Sequence, residues 1–135
     1  MTAKKEVLHV VGAIIVTGGR LLACRRAPHK ASAGLWEFPG GKVEAGEVSE
    51  SALLREIFEE LSLGLEHLEL FDISDTQVGD QIIRLETFLC VPKHDFAGQS
   101  TDHDEFRWLS RRELESVGWA LPDLPAVNKL RLAGF

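Results

Sequence analysis

The sequence predicts a mixed α/β domain, and three observations predict it. Two stretches rich in apolar and β-branched residues, each folded back on a glycine turn, read as hairpins. Between them the run from Ser49 to Leu61 has no Gly or Pro and is rich in Leu, Ala, Glu and Arg, which favours helix. A short strand and two further helical stretches follow the second hairpin. At 135 residues the chain is expected to form one domain, 1–135, around a single core.

The first hairpin runs from Val7 to Thr17, turns at Gly18-Gly19 and returns from Arg20 to Arg26. His9 stands on an otherwise apolar strand, where a histidine is ordinarily a satisfied or edge residue. Arg25, Arg26, His29 and Lys30 form a local basic patch. It is either solvated loop or a place to capture phosphates, for which arginine offers bidentate geometry. Leu35 to Gly41 reads as a short strand running into a glycine bend, where backbone can turn sharply and approach a ligand. Phe38 within it is a core residue or a ligand-facing one.

The stretch from Gly41 to Leu63 organises the chain. Its acids are Glu44, Glu47, Glu50, Glu56, Glu59 and Glu60. Ser49 is expected to cap the helix, with Glu47 and Glu50 near its positive end. Glu56, Glu59 and Glu60 stand at i, i+3 and i+4 and so share one face, while Ala52, Leu53, Ile57 and Leu61 supply an apolar stripe. Like charges at this spacing repel by a few tenths of a kcal/mol per pair. A hard divalent cation, Mg2+ or Mn2+, would offset that cost; otherwise the face is simply solvated.

Leu65 to Thr76 and Gln81 to Pro92 form the second hairpin, turning at Val78-Gly79-Asp80. His94 to Asp104 reads as loop and Glu105 to Leu109 as a strand containing Trp108. Ser110 is placed to cap a helix over Arg111 to Val117. Asp123 to Leu132 reads as a last helix with Pro125 in its first turn. Asp123 would cap it, or present a carboxyl group that accepts hydrogen bonds when ionised and also donates when protonated.

Composition excludes several classes of partner. Fifteen basic against 21 acidic residues leave a net charge of −6, which disfavours a nucleic-acid polymer. Cys24 and Cys90 lie in apolar segments and read as buried thiols. Met1 to Glu6 are polar with no apolar run behind a cleavage site, and no stretch reaches the roughly 18 apolar residues of a membrane span. A soluble, cytoplasmic protein is expected.

From Gly41 the chain reads Gly, five residues, Glu47, seven residues, then Arg55-Glu56-Ile57-Phe58-Glu59-Glu60-Leu61-Ser62-Leu63. This resembles the Nudix box, with Ser62 standing where the family carries a glycine. Gly64 is the residue expected to end the helix in its place. The resemblance extends from Val7 to about Leu130 and implies the Nudix fold, a three-layer α/β/α sandwich around a mixed sheet. It implies metal ligation by Glu56, Glu59, Glu60 and the carbonyl of Gly40, with Arg55 orienting the carboxylates and Glu47 bracing the loop. A further carboxylate, metal ligand or general base, falls on Asp102, six residues before Trp108, with Asp104 or Glu105 as alternatives. By the resemblance Arg26 and Asp123 match positions that contact the nucleotide in MutT-type members, Phe38 in the stretch leading into the box is expected to pack against the base, and His9 stands on the strand that lines the base pocket, where it is expected to touch a nucleobase. The implied reaction is Mg2+- or Mn2+-dependent hydrolysis of a nucleoside triphosphate, 8-oxo-dGTP or a pyrimidine nucleotide, to the monophosphate and pyrophosphate. Rival implications are attack on the diphosphate of ADP-ribose or a dinucleoside polyphosphate, which would want elements flanking the domain, and nucleotide binding without catalysis, which would not need the box acids. The partner is the nucleotide alone, without nucleic-acid polymer or membrane, for a monomer or homodimer.

Overall fold

The computed structural model describes residues 6–135, so Met1 to Lys5, read above as free of a leader, lie outside it. The first hairpin is β1 (Glu6–Thr17) and β2 (Arg20–Arg26). Gly18 and Gly19 both take positive φ, 57° and 75°, the two-residue turn whose twist suits a hairpin. Two short strands, β3 (Trp36–Glu37) and β4 (Gly40–Lys42), lead into helix α1 (Ser49–Leu61). The long hairpin β5 (Leu65–Val78) and β6 (Gln81–Pro92) follows, then β7 (His103–Leu109), two 3-10 turns at Arg111–Ser116 and Leu121–Asp123, and helix α2 (Leu124–Ala133).

The strands form a seven-stranded sheet of order β3-β2-β1-β6-β5, with β4 paired to β1 and β7 to β2. It is mixed: β1 runs parallel to β6, whereas the other pairings are antiparallel. Strand alternation sorts the core into two layers. Val11, Ala13 and Ile15 of β1 and Leu22 and Cys24 of β2 meet Ala52, Leu53, Ile57 and Leu61 of α1. Ile14, Leu21 and Ala23 face the opposite side and meet Leu114 and, from α2, Ala126, Val127 and Leu130. This is the expected α/β/α sandwich. Leu53 and Ile57 are fully buried, and truncating either to Ala costs about 2–5 kcal/mol. Both cysteines are buried free thiols, and burial pushes Cys90 up to about 12. Among the described residues no helix is long and apolar enough to cross a membrane.

Four local expectations are corrected. Val48, not Ser49, precedes α1 as its N-cap, and the Ser49 hydroxyl donates to Glu86 Oε1 at 2.8 Å instead. Ser62 itself takes the left-handed conformation (φ 52°, ψ 37°) that closes α1, so Gly64 is not needed for it. The stretch after Ser110 is 3-10 rather than α, with the Glu113 carboxylate accepting from the Ser110 N–H at 3.0 Å. Strand β7 starts at His103, two residues early, because a bulge intervenes: Arg25 pairs with Glu105 but Arg26 pairs with His103. The extra residue is Asp104, and a bulge of this kind re-aims the side chain beyond it.

Candidate active site

A cleft of about 530 Å3 opens beside the box, between β1, the β3–β4 bend and the 3-10 turn before α2. Leu8, Val10, Leu85 and Phe38 give it an apolar wall, and Arg26, Glu37 and Asp123 give it polar groups. Gly40 and Gly41 form part of the same lining. A Cβ on Gly40 would fall 1.8 Å from the Val11 carbonyl oxygen, and one on Gly41 would fall 2.3 Å from the Glu56 carboxyl carbon. Only glycine therefore lets β4 lie against β1 and lets the Glu56 carboxylate rest on the loop.

The box helix is clamped to its loop by one side chain. Arg55 Nε and Nη2 donate to the two Glu47 oxygens at 2.8 and 2.9 Å, and Nη2 also reaches the Lys42 carbonyl at 3.1 Å. Nη1 donates to Glu56 at 2.9 Å and lies 3.5 Å from Glu59. The bidentate bond from Arg55, helped by the Glu44 N–H, holds Glu47 down to about 2, and Arg55 in turn is raised by Glu47 and Glu56. The three box acids have different surroundings: Glu59 is 61% exposed, Glu56 sits at 22% against Gly41, and Glu60 is turned inward at 7%. Among the described residues no three acid, histidine or cysteine side chains converge into a closed metal cage. The donors on offer are carboxylate and backbone oxygens beside a glycine bend, a set that suits a hard divalent cation.

Glu60 is turned inward by His103. His103 Nδ1 lies 2.6 Å from Glu60 Oε1, and His103 Nε2 donates to Glu37 Oε2 at 2.8 Å. The Ser100 hydroxyl also donates to Glu60 Oε1, at 3.1 Å. Burial would lower the imidazole, but the bonds to Glu37 and Glu60 overcome it and push His103 up to about 9. Glu37 in turn accepts from Arg26 Nη1 through both its oxygens, at 3.0 and 3.1 Å. Sequence reasoning missed Glu37, Ser100 and His103. No local pattern marks them, since His103 and Glu37 lie 66 residues apart and meet only through strand pairing.

Of the expected site residues, Arg26, Phe38, Gly40 and Asp123 line the cleft. Phe38 is buried against Trp119, ring centroids 4.9 Å apart. Asp123 stands at the N-cap position of α2 but makes no side-chain cap bond: its Oδ2 accepts from the Phe38 N–H at 3.0 Å. Burial, with Glu37 nearby, raises its carboxyl well above the usual range, against the opposing pull of Phe38 N–H and Arg26. His9 is not among the residues that line the cleft. Leu8 and Val10 on either side of it line the cleft, so strand alternation points His9 away, and its ring bonds Glu86 beside Ser49. The Asp102 carboxylate lies 3.3 Å from Lys30, the Asp102 N–H donates to the Ser100 hydroxyl that in turn donates to Glu60, and the bulge brings His103 to the inward place. Asp104 and Glu105 pair with Arg25, and Glu105 also with Arg107.

The match to known proteins follows the same residues. The NUDIX domain model matches residues 7–130. The chain is 37% identical to the CTP pyrophosphohydrolase of Escherichia coli (strain K12) over 125 residues, 91% of this chain and 90% of that protein. It is 37% identical to the putative 8-oxo-dGTP diphosphatase 2 of Mycobacterium tuberculosis (strain ATCC 25618 / H37Rv) over 118 residues, 84% of this chain and 81% of that protein. The solution structure of the E. coli ORF135 protein superposes with a TM-score of 0.78 at 34% identity, covering 96% of this chain and 94% of that one. With the box acids Glu56, Glu59 and Glu60 on α1 and the sandwich around it, the chain belongs to the NUDIX domain family and is a Nudix hydrolase of the MutT type.

Proposed function

We propose that the protein hydrolyses a nucleoside triphosphate to the monophosphate and pyrophosphate, using Mg2+ or Mn2+ held by Glu56, Glu59, Glu60 and the Gly40 carbonyl. The observation that carries this reading is the continuity of cleft and box: Gly40 and Gly41 line the cleft, and Gly41 backs onto the Glu56 carboxylate. A base held in the apolar part of the cleft leads its phosphates along this bend toward α1. Nudix hydrolases generally use divalent metals. A bound cation neutralises phosphate oxygens and lowers the pKa of water.

The chain's own residues supply the rest. Arg55 holds the loop and Glu56 in register. Arg26, at the cleft wall, offers its guanidinium to substrate oxygens, and Glu37 orients it. As the water oxygen bonds to phosphorus and the bond to pyrophosphate breaks, the water's proton passes to a carboxylate of the box. The base is read by Asp123 and Phe38. An 8-oxo-dGTP or a pyrimidine nucleoside triphosphate is the favoured substrate class, in keeping with the activities named for the two similar proteins.

Glu59 gives a clean test because it is exposed and its nearest cation is 3.5 Å away. Glu59→Gln should keep the melting temperature and lower kcat by on the order of a hundredfold or more, a transition-state loss. Turnover near that of the wild type would make the acidic face a solvated surface.

A further inference from the structure

Four side chains form one chain of bonds from the cleft wall to the box helix. Arg26 donates to Glu37, Glu37 accepts from His103 Nε2, and His103 Nδ1 meets Glu60. Arg26 and Glu37 line the cleft, whereas the His103 side chain is 1% exposed and touches none of it. All four lie on the α1 side of the sheet: Arg26 follows Cys24 in the β2 alternation, and the bulge at Asp104 brings His103 to the same side. A buried histidine bonded through both ring nitrogens has one orientation, and it imposes that orientation on both carboxylates. Without the ring between them, two carboxylates with little access to water would turn outward toward it.

We propose that His103 is a positioning residue that sets Glu60 for the cation and, through Glu37, sets Arg26 for the substrate. It links the two halves of the site without touching either ligand. This inference rests on the reading that Glu60 serves a divalent cation. Its two arms are separable. An asparagine amide nitrogen stands close to the place of Nδ1 and keeps the arm to Glu60, while a glutamine nitrogen stands close to Nε2 and keeps the arm to Glu37.

The test uses the full chain as wild type, His103→Asn and His103→Gln, each checked for folding by its melting curve. Mn2+ binding is followed by electron paramagnetic resonance, and kcat and KM are measured on the best triphosphate. His103→Gln should weaken Mn2+ binding more than fivefold and lower kcat, with KM changed less than threefold. His103→Asn should leave Mn2+ binding within twofold and raise KM. Folded variants that both bind Mn2+ as the wild type does and keep its kcat and KM would overturn the proposal and make His103 a packing residue. So would equal effects of the two replacements on Mn2+ binding. Absence of Mn2+ binding by the wild type sinks the cation reading and this inference with it. Mn2+ binding without triphosphate hydrolysis sinks only the reading of the reaction, and the Mn2+ comparison still decides the role of His103.

Discussion

At Asp123 the decisive quantity is burial. A carboxyl group 5% exposed, with Glu37 nearby, is pushed well above the usual range, so it favours the protonated form. One oxygen accepts from Phe38 N–H, and the carboxyl group lines the cleft, where the proposed base reading would use its other oxygen to donate or accept. Asp123→Asn keeps the acceptor for Phe38 and should keep the fold. Asp123→Ala leaves that N–H unmatched, costing about 1–3 kcal/mol. A substrate panel should show Asp123→Ala compressing the kcat/KM ratio between best and worst triphosphates by more than tenfold, about 1.4 kcal/mol, while hydrolysis persists. An unchanged ratio with only a lower melting point would confine Asp123 to holding Phe38. The neighbouring acids separate in the same way. Asp102 is tied to Lys30, and its carbonyl accepts from Ala27 N–H, so it steadies the loop whose Ala31 and Ser32 line the cleft. Glu105 pairs with Arg25 and Arg107 away from the box. Asp102→Asn should therefore lower kcat/KM more than Glu105→Gln, and the reverse ranking would contradict this loop role for Asp102. Residues whose role depends on the turn of the backbone were the least legible in the sequence. Six-residue spacing from Trp108 singles out Asp102, but one bulged residue hands the inward place to His103.

At the scale of elements, α1 was legible because its signals are local. The i, i+3, i+4 acids and the apolar stripe of Ala52, Leu53, Ile57 and Leu61 both follow from a 3.6-residue period, and those four apolar residues are the ones buried. The Gly18-Gly19 and Gly79 turns were legible for the same reason: positive φ there calls for glycine. The Arg55–Glu47 clamp between α1 and its loop carries a pH signature. Glu47 is held at about 2 against an ordinary 4.5, so its contribution is complete above 4.5 and is lost as pH falls from there toward 2. Melting temperatures of wild type and Glu47→Gln should differ most near neutral pH and converge toward pH 2. A gap that stays constant across that range would mean that the clamp does not hold the loop through its charge.

For the molecule as a whole, the sheet is what joins distant parts of the sequence into one site. The β2–β3 pairing places Glu37 beside Arg26, the β1–β4 pairing anchors the glycine bend of the box, and the Phe38 N–H bond brings in Asp123, so residues from distant regions of the chain line one cleft. That assembly was legible through the Nudix box and its flanking resemblance, and not through the residues themselves. The strand order and the cross-strand partners, His9 with Glu86 among them, have no counterpart in local pattern. Cleft and box together are proposed to cut a nucleoside triphosphate with the help of a divalent cation. The most direct measurement is product analysis on a panel of normal and oxidised triphosphates, with Mg2+, with chelator, and with Mg2+ restored. The expected result is monophosphate and pyrophosphate in equal amounts, turnover abolished by chelator and recovered with Mg2+. Release of orthophosphate, or full turnover in chelator, would contradict it.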